Sequence, residues 1–468
     1  MDDHSEHSAK PAQGLSQTRE VVTRIRDRAR FFQLTDWLCF ALTTALTLAV
    51  YLVTLAPDVT LGDSGIFSVG AMYAGVPHPP GYPLWTLYAH LFTRLPVSNI
   101  AWRVAVSSAV SGALACGLIA LLVSRGGALI VEEIPGTHRL KPHEARALRV
   151  ACGCVAGMGF GFDGGFWRTA VVASSWPLSL LLFSSVLCLL MRWMYAPNQR
   201  RYLYAASFVY GLTFTNSQIL LAAAPGLQVA VMLGERRLVR EICLANSLLF
   251  VGGLSVKRAG CPDPFYTSNE GFNLLGDLYY LAGIGSMATC VVLWIRTRRI
   301  LTEWRPVLVS GFLFVLGLTP YLYPPIASMT NPPVNWAYPR TAEGFIHLLT
   351  RGQYERIQAT ARIGPFAHQL RMCAETAATD FGLLYLLAAL VPFCLLRKIG
   401  ARERRWILGL LAVYVCLAFL LLVVLNPGSD RNSREFCEVF FSASHIVLAV
   451  WSGYGLMLLG VLFTRRAV

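Results

Sequence analysis

Charge is what this sequence has least of. Asp, Glu, Lys and Arg make up 14% of its 468 residues, where about 25% is usual in soluble domains. With 55% of residues hydrophobic, the chain can neither clothe a soluble globule in polar side chains nor stay disordered in water. Cysteine is also sparse. Twelve are present, and Cys39, Cys116, Cys188 and Cys416 sit inside apolar runs. They read as small hydrophobes, which excludes a secreted disulfide scaffold. Cys152-x-Cys154 has no companion ligands around it, leaving packing as its role. Acidic residues are outnumbered, 26 against 40 basic, for a net charge of +14. In a soluble protein that excess would suggest nucleic acid; in a membrane protein it is the basic bias of cytoplasmic loops, so no nucleic-acid partner is expected. A phosphate-binding glycine loop is missing too. Gly153, Gly157, Gly159 and Gly161 are spaced instead as small residues for helix packing.

What is present is a series of long apolar runs. The first spans Leu34 to Ala56, at about 20 residues per crossing a membrane helix and too long for a signal segment. Others follow near 101–123, 150–173, 176–194, 202–216, 218–233, 241–256, 273–295, 306–326, 379–396, 406–425 and 441–463. The chain therefore reads as an all-α polytopic membrane protein of about 12 spans, with a bent hairpin at the two short runs that meet near Thr215 to Gln218. Residues 1–33 read as a polar, then basic, cytoplasmic tail, and 34–468 as one transmembrane domain.

Basic residues fix the expected orientation. Arg24, Arg26, Arg28 and Arg30 precede the first run, and Arg125, Arg146, Arg200, Arg236, Arg298, Arg404 and Arg465 mark alternate loops. Both termini are then cytoplasmic. Two of the opposite, outside loops are long, 57–100 and 327–378, and rich in proline, aromatics and charge. Loops of that kind on a membrane scaffold are where function concentrates. The arginines of the second loop, among them Arg340 and Arg351, fall outside the positive-inside pattern. An anionic ligand explains them, and so does a solvated surface with Glu343 and Glu355 as partners.

In the first outside loop, Asp63 is followed by Ser64-Gly65, then an apolar stretch, then His78-Pro79-Pro80-Gly81-Tyr82-Pro83. Three prolines stiffen that turn by fixing φ and removing donors. It can hold His78 and Tyr82 against a site beside Asp63; equally, Asp63 can cap a short interfacial helix while the prolines shape a linker.

The words GDSG (62–65), HPPGYPL (78–84) and AWRVAVSS (101–108) resemble the protein O-mannosyltransferase-like multispan family, long catalogued in bacteria as a domain of unknown function and related to animal transmembrane O-mannosyltransferases. FWRTAVVASSWPL (166–178), GLTFTNSQ (211–218) and the stretch from Gly317 to Tyr354, with NPPVNW inside it, extend the resemblance over most of the chain. It implies a GT-C fold and transfer of a mannose-like sugar from a polyprenyl-phosphate donor to a protein or glycan acceptor at the extracytoplasmic face. A bacterial inner membrane is the expected location. Asp63 matches the family's acidic residue in the first outside loop, the base or acceptor-orienting group, with His78 beside it. The donor's phosphate calls for cationic partners, and Arg103, Arg168, Arg340 and Arg351 are the outside candidates. Tyr82, Asp163, Asn335, Trp336 and Tyr354 complete the substrate-binding set. A divalent ion at Asp63 is compatible with this chemistry, although the sequence offers no second clear ligand beside it.

Three positions depart from the family pattern. Ile66 stands where relatives read DSGE, Ser174 where an acidic residue precedes the aromatic, and Ser217 where a histidine follows the asparagine. The chain also ends soon after its last apolar run, so a shortened recognition apparatus is expected. Two alternatives follow: a catalytically degenerate member acting as a binding or scaffold subunit, and a secondary transporter. The transporter predicts two similar halves, but HPPG and NPPVNW each occur once.

Overall fold

The computed structural model describes residues 31–132, 134, 140–258, 274–299, 301–351, 360, 363–428 and 430–466. The basic stretch expected before the first span lies outside them. Among the described residues there is no strand; every apolar run of the sequence falls on helix. In chain order the elements are α1 (Leu34–Val53), α2 (Ser64–Met72), α3 (Pro83–Phe92), α4 (Ile100–Glu132), α5 (Pro142–Gly161), α6 (Gly164–Ala170), α7 (Trp176–Tyr195) and α8 (Arg201–Asn216). A 3₁₀ turn, Gln218–Ala223, leads into α9 (Ala224–Gly234), α10 (Arg236–Arg258), α11 (Leu274–Thr297) and α12 (Trp304–Gly317). After a second 3₁₀ turn come α13 (Tyr323–Met329), α14 (Ala342–Leu349), α15 (Ile363–Phe381), α16 (Leu383–Cys394), α17 (Ala401–Val415), α18 (Leu421–Leu425) and α19 (Arg431–Arg466).

The protein is an all-α, multi-pass membrane protein. Among the described residues, eight helical segments are long and apolar enough to cross a bilayer, or nine if α15 and α16, bent by 105°, form one broken span. That is fewer than the twelve runs of the sequence. The shortfall falls at 150–173, where α5 opens with Glu144, Arg146 and Arg149, and at 202–233, where α8 has 16 residues and the next run divides between a 3₁₀ turn and an 11-residue helix.

The core is built around α4. Its 33 residues reach about 50 Å at 1.5 Å per residue, well beyond the ~30 Å hydrocarbon layer, and it is buried along most of its length against α1, α5, α7 and α19. Small residues permit that approach, as the glycine spacing on α5 predicts. A Cβ on Gly157 would stand 2.5 Å from the Cys116 carbonyl oxygen and 2.7 Å from Thr43, so nothing larger than glycine fits. Cys154 belongs to the same packing, its sulfur 3.9 Å from that of Cys39 and 3.4 Å from the Thr43 hydroxyl. One charged pair ties the bundle together: fully buried Asp36 of α1 receives Arg149 Nη2 of α5 at 2.7 Å and the Ser124 hydroxyl of α4 at 2.5 Å.

At one end of the bundle the two long loops meet. The first carries α2 and α3, and the second carries α14. Val76 and Asn335 form an isolated parallel bridge, in which Val76 N–H donates to Val334 O at 2.8 Å and Trp336 N–H to Val76 O at 3.0 Å. The Tyr323 hydroxyl donates to Ala74 O beside it. Gly75 makes this possible, because a Cβ there would lie 2.5 Å from Val334 O. At the proline turn, Gly81 adopts φ +86° and packs under Leu348 of α14, which a side chain would obstruct at 3.0 Å.

Candidate functional site at the junction of two loops

Asp63 occupies the position before α2 but does not cap it with its side chain; only its carbonyl takes the Phe67 amide, at 3.0 Å. Its carboxylate turns instead to His78, with Oδ2 3.3 Å from Nε2. The two differ sharply in exposure: the Asp63 side chain is 60% open to solvent and that of His78 only 9%. The His78 imidazole holds the Asp63 carboxyl below the usual carboxylate range, outweighing partial burial, which acts the other way.

The proline turn does the positioning. Gly81 N–H donates to His78 O at 2.9 Å, and Tyr82, in left-handed backbone at φ 41°, opens α3 with Pro83 behind it. Phe67 of α2 forms the floor. Its ring centre lies 5.4 Å from His78, 5.2 Å from Tyr82 and 4.7 Å from Trp85, and Tyr82 closes the other edge of His78 at 5.1 Å. Across the loop junction, Trp336 stands edge-on to His78 at 6.4 Å. The histidine is thus fixed on several sides while its Nε2 faces the exposed carboxylate.

An open cleft of about 580 Å³ adjoins this pair, walled by Ile66 from the first loop and by Asn331 to Tyr338 from the second. Asn335 donates its amide to Ser328 O at 3.3 Å, and its buried carbonyl Oδ1 has no hydrogen-bond partner among the described residues. That oxygen is an acceptor waiting for a donor. The wall is strained as well: Asn331, Ala337 and Tyr338 have φ of 48°, 61° and 47°, a concentration of left-handed non-glycine residues typical of ligand-holding loops. Arg340 sits at the rim, donating to Asn331 Oδ1 at 2.6 Å with its guanidinium 5.7 Å from the Tyr338 ring.

Of the residues singled out in the sequence, Asp63, His78, Tyr82, Asn335, Trp336 and Arg340 gather here. Others are placed differently. Arg103 spends its guanidinium on three carbonyls, Val97 at 2.7 Å, Ser98 at 2.8 Å and Thr93 at 3.2 Å, fastening the turn between α3 and α4. Arg168 pairs with Glu438 at 3.4 Å. Arg351 follows α14 on the side of Tyr321, in the region where Gln218 donates to Leu349 O. Tyr354 lies outside the described residues. Asp163 is fully buried and meets His445 of α19 and Asp380 of α15. Of the departures, Ile66 lines the cleft itself, whereas Ser174 is tied to Ser108 in both directions at 3.0 Å.

Sequence reading missed His445 and Asp380. A histidine inside the run 441–463 was a signal, since ionisable groups inside membrane helices are costly and mark function. It also missed Asn331 and Tyr338, which only the left-handed backbone makes conspicuous.

Fold and site together define a helical multi-pass membrane protein with a polar cleft where two loops join. Residues 63–239 match the family described as Protein O-mannosyl-transferase TMEM260 N-terminal domain, in agreement with the resemblance carried by the loop words. The chain is 29% identical to "Protein O-mannosyl-transferase TMEM260" of Mus musculus over 214 residues, which are 44% of this chain and 28% of that protein. With "Protein O-mannosyl-transferase tmem260" of Dictyostelium discoideum it shares 36% identity over 88 residues, 18% of this chain and 11% of the relative. The matched stretches thus span less than a third of either relative. Among solved structures, ArnT from Cupriavidus metallidurans, bound to undecaprenyl phosphate, aligns over 93% of this chain and 79% of its own, with TM-score 0.30 and 16% identity.

Proposed function

We propose that this protein is a membrane glycosyltransferase that moves a sugar, mannose-like, from a polyprenyl-phosphate donor to a hydroxyl acceptor on a protein or glycan at the extracytoplasmic face. The observation that carries this reading is the Asp63–His78 pair at a cleft built from both long loops, in a chain similar to proteins named O-mannosyl-transferases.

The acceptor oxygen attacks the anomeric carbon, the bond from that carbon to the phosphate oxygen breaks, and polyprenyl phosphate leaves. The acceptor proton passes to the Asp63 carboxylate, which is held ionised by His78 and is open to the incoming group. General-base help of this kind is worth roughly 10²–10⁴-fold. Arg340, at the cleft rim, is the cation for the phosphate. The orphan Oδ1 of Asn335 accepts a sugar hydroxyl, and Trp336 offers a face for the ring. A carrier whose prenyl chain stays in the bilayer suits an enzyme made of membrane helices.

Ile66 supports a second reading. It puts an alkyl group on the cleft wall where the family pattern has a carboxylate, so this chain recognises substrate without transferring it. Incubating the detergent-purified protein with a panel of polyprenyl-phosphate sugars, with and without protein acceptors, separates the two. Turnover lost in Asp63→Asn supports transfer; labelled donor that binds but never turns over supports the second.

A further inference from the structure

A second polar centre shares no atom with the Asp63–His78 pair. Asp163 at the α5–α6 junction, Asp380 at the end of α15 and His445 within α19 each present one ligand atom, and these atoms lie within 4.8 Å of one another. Asp163 and His445 are buried, with Asp163 Oδ2 against His445 Nδ1 and Asp163 Oδ1 accepting the Phe166 amide at 3.1 Å; Asp380 is half-buried. Two glycines make room for the meeting. A Cβ on Gly164 would stand 3.2 Å from Asp380 Oδ1, and one on Gly165 3.3 Å from the backbone oxygen of Glu438. A cavity of about 200 Å³ is lined in part by His445 and Glu438.

We propose that Asp163, Asp380 and His445 bind a divalent transition-metal ion of the Mn²⁺ or Zn²⁺ type. Charge is the first argument. Even with His445 protonated, two carboxylates and one imidazolium leave a net negative charge in the bundle, and the Arg168 guanidinium is engaged by Glu438. That surplus sits on half-buried Asp380, and a divalent ion balances both carboxylates while His445 stays neutral. Geometry is the second. Ligands about 2.0–2.2 Å from an ion stand roughly 3–4.4 Å apart, so the hydrogen-bonded Asp163 Oδ2 and His445 Nδ1 part to admit the ion while the wider spacings, all within 4.8 Å, close slightly. Ligand chemistry is the third: imidazole beside carboxylates favours Mn²⁺ or Zn²⁺ over Ca²⁺. Three protein ligands leave a coordination position for water on the cavity side.

The test uses the full chain in detergent, stripped with a chelator and titrated with Mn²⁺ while the free-ion electron paramagnetic resonance signal is followed. The wild type is expected to remove about one ion per chain from solution, and Zn²⁺ to displace it. Asp380→Asn should weaken Mn²⁺ binding at least tenfold, since losing even an outer partner of a ligand costs 10–100-fold. A metal-free melting curve checks that this variant folds. The wild-type protein supplies an independent readout, because bound Mn²⁺ should show electron spin-echo coupling to an imidazole nitrogen. No uptake of either ion, equal binding by wild type and a folded Asp380→Asn, or bound Mn²⁺ without nitrogen coupling would each overturn the proposal. None of these measurements depends on transferase activity.

Discussion

Asp63 turns away from the helix it precedes and meets His78, with Oδ2 3.3 Å from Nε2. The capping role that its place before α2 suggested is not taken up, which leaves the carboxylate available for chemistry. Asp63→Asn keeps the shape and removes the charge. Turnover of a polyprenyl-phosphate sugar should fall by roughly 10²–10⁴-fold with the fold intact, as judged by an unchanged melting curve.

The pair also sets a pH dependence. His78 depresses the Asp63 carboxyl, so the ionised form persists as pH falls and is lost only below the ordinary carboxylate range. Replacing His78 with Gln removes that support and lets the value rise. The acidic limb of the rate profile should therefore move to higher pH in His78→Gln, while the alkaline limb is not governed by Asp63. An acidic limb that stays in place, or moves down, would count against the coupling.

Gly75 tests the loop junction. Adding one methyl group there forces it against Val334 O, a backbone atom that cannot swing aside. Gly75→Ala should part the Val76–Asn335 bridge, speed proteolysis within 331–340 and lower transfer at least tenfold, with bundle melting little changed.

Two arginines should separate by readout. Arg103 serves three carbonyls of its own turn, so Arg103→Gln is expected to cost about 1–2 kcal/mol of stability and leave donor affinity near normal. Arg340, at the cleft rim, should do the reverse: Arg340→Gln raises the KM for donor with little change in melting.

Within the bundle, Arg149 neutralises Asp36. Arg149→Leu strands a buried carboxylate and should cost about 3–5 kcal/mol, while Asp36→Asn in the same chain recovers part of the loss. A thermal melt of the two single variants and the double variant measures the coupling.

Much of this was legible in the sequence. Apolar length alone locates the helices, because a backbone in lipid must satisfy its own hydrogen bonds. Where helix and span part company, at α8 and α9, the runs are too short to show whether they cross, and tertiary packing decides. The loop words pointed to Asp63, His78, Asn335 and Trp336, which the fold brings to one loop junction, Asn335 and Trp336 in the cleft wall and His78 beside Trp336. Side-chain partners were not legible. Nothing in the spacing says that Arg103 finds carbonyls, that Arg168 finds Glu438, or that Asp163 finds a histidine on the last helix.

The bridge between Val76 and Asn335 has a consequence for biogenesis. Its two halves leave the ribosome far apart in time, and every helix from α3 to α13 is made between them. Until then the first loop stands alone with Phe67, His78 and Tyr82 and no opposite wall. A nascent chain halted before residue 335 can seat its early helices and still present no cleft, so the cleft arises only once the second loop has been made.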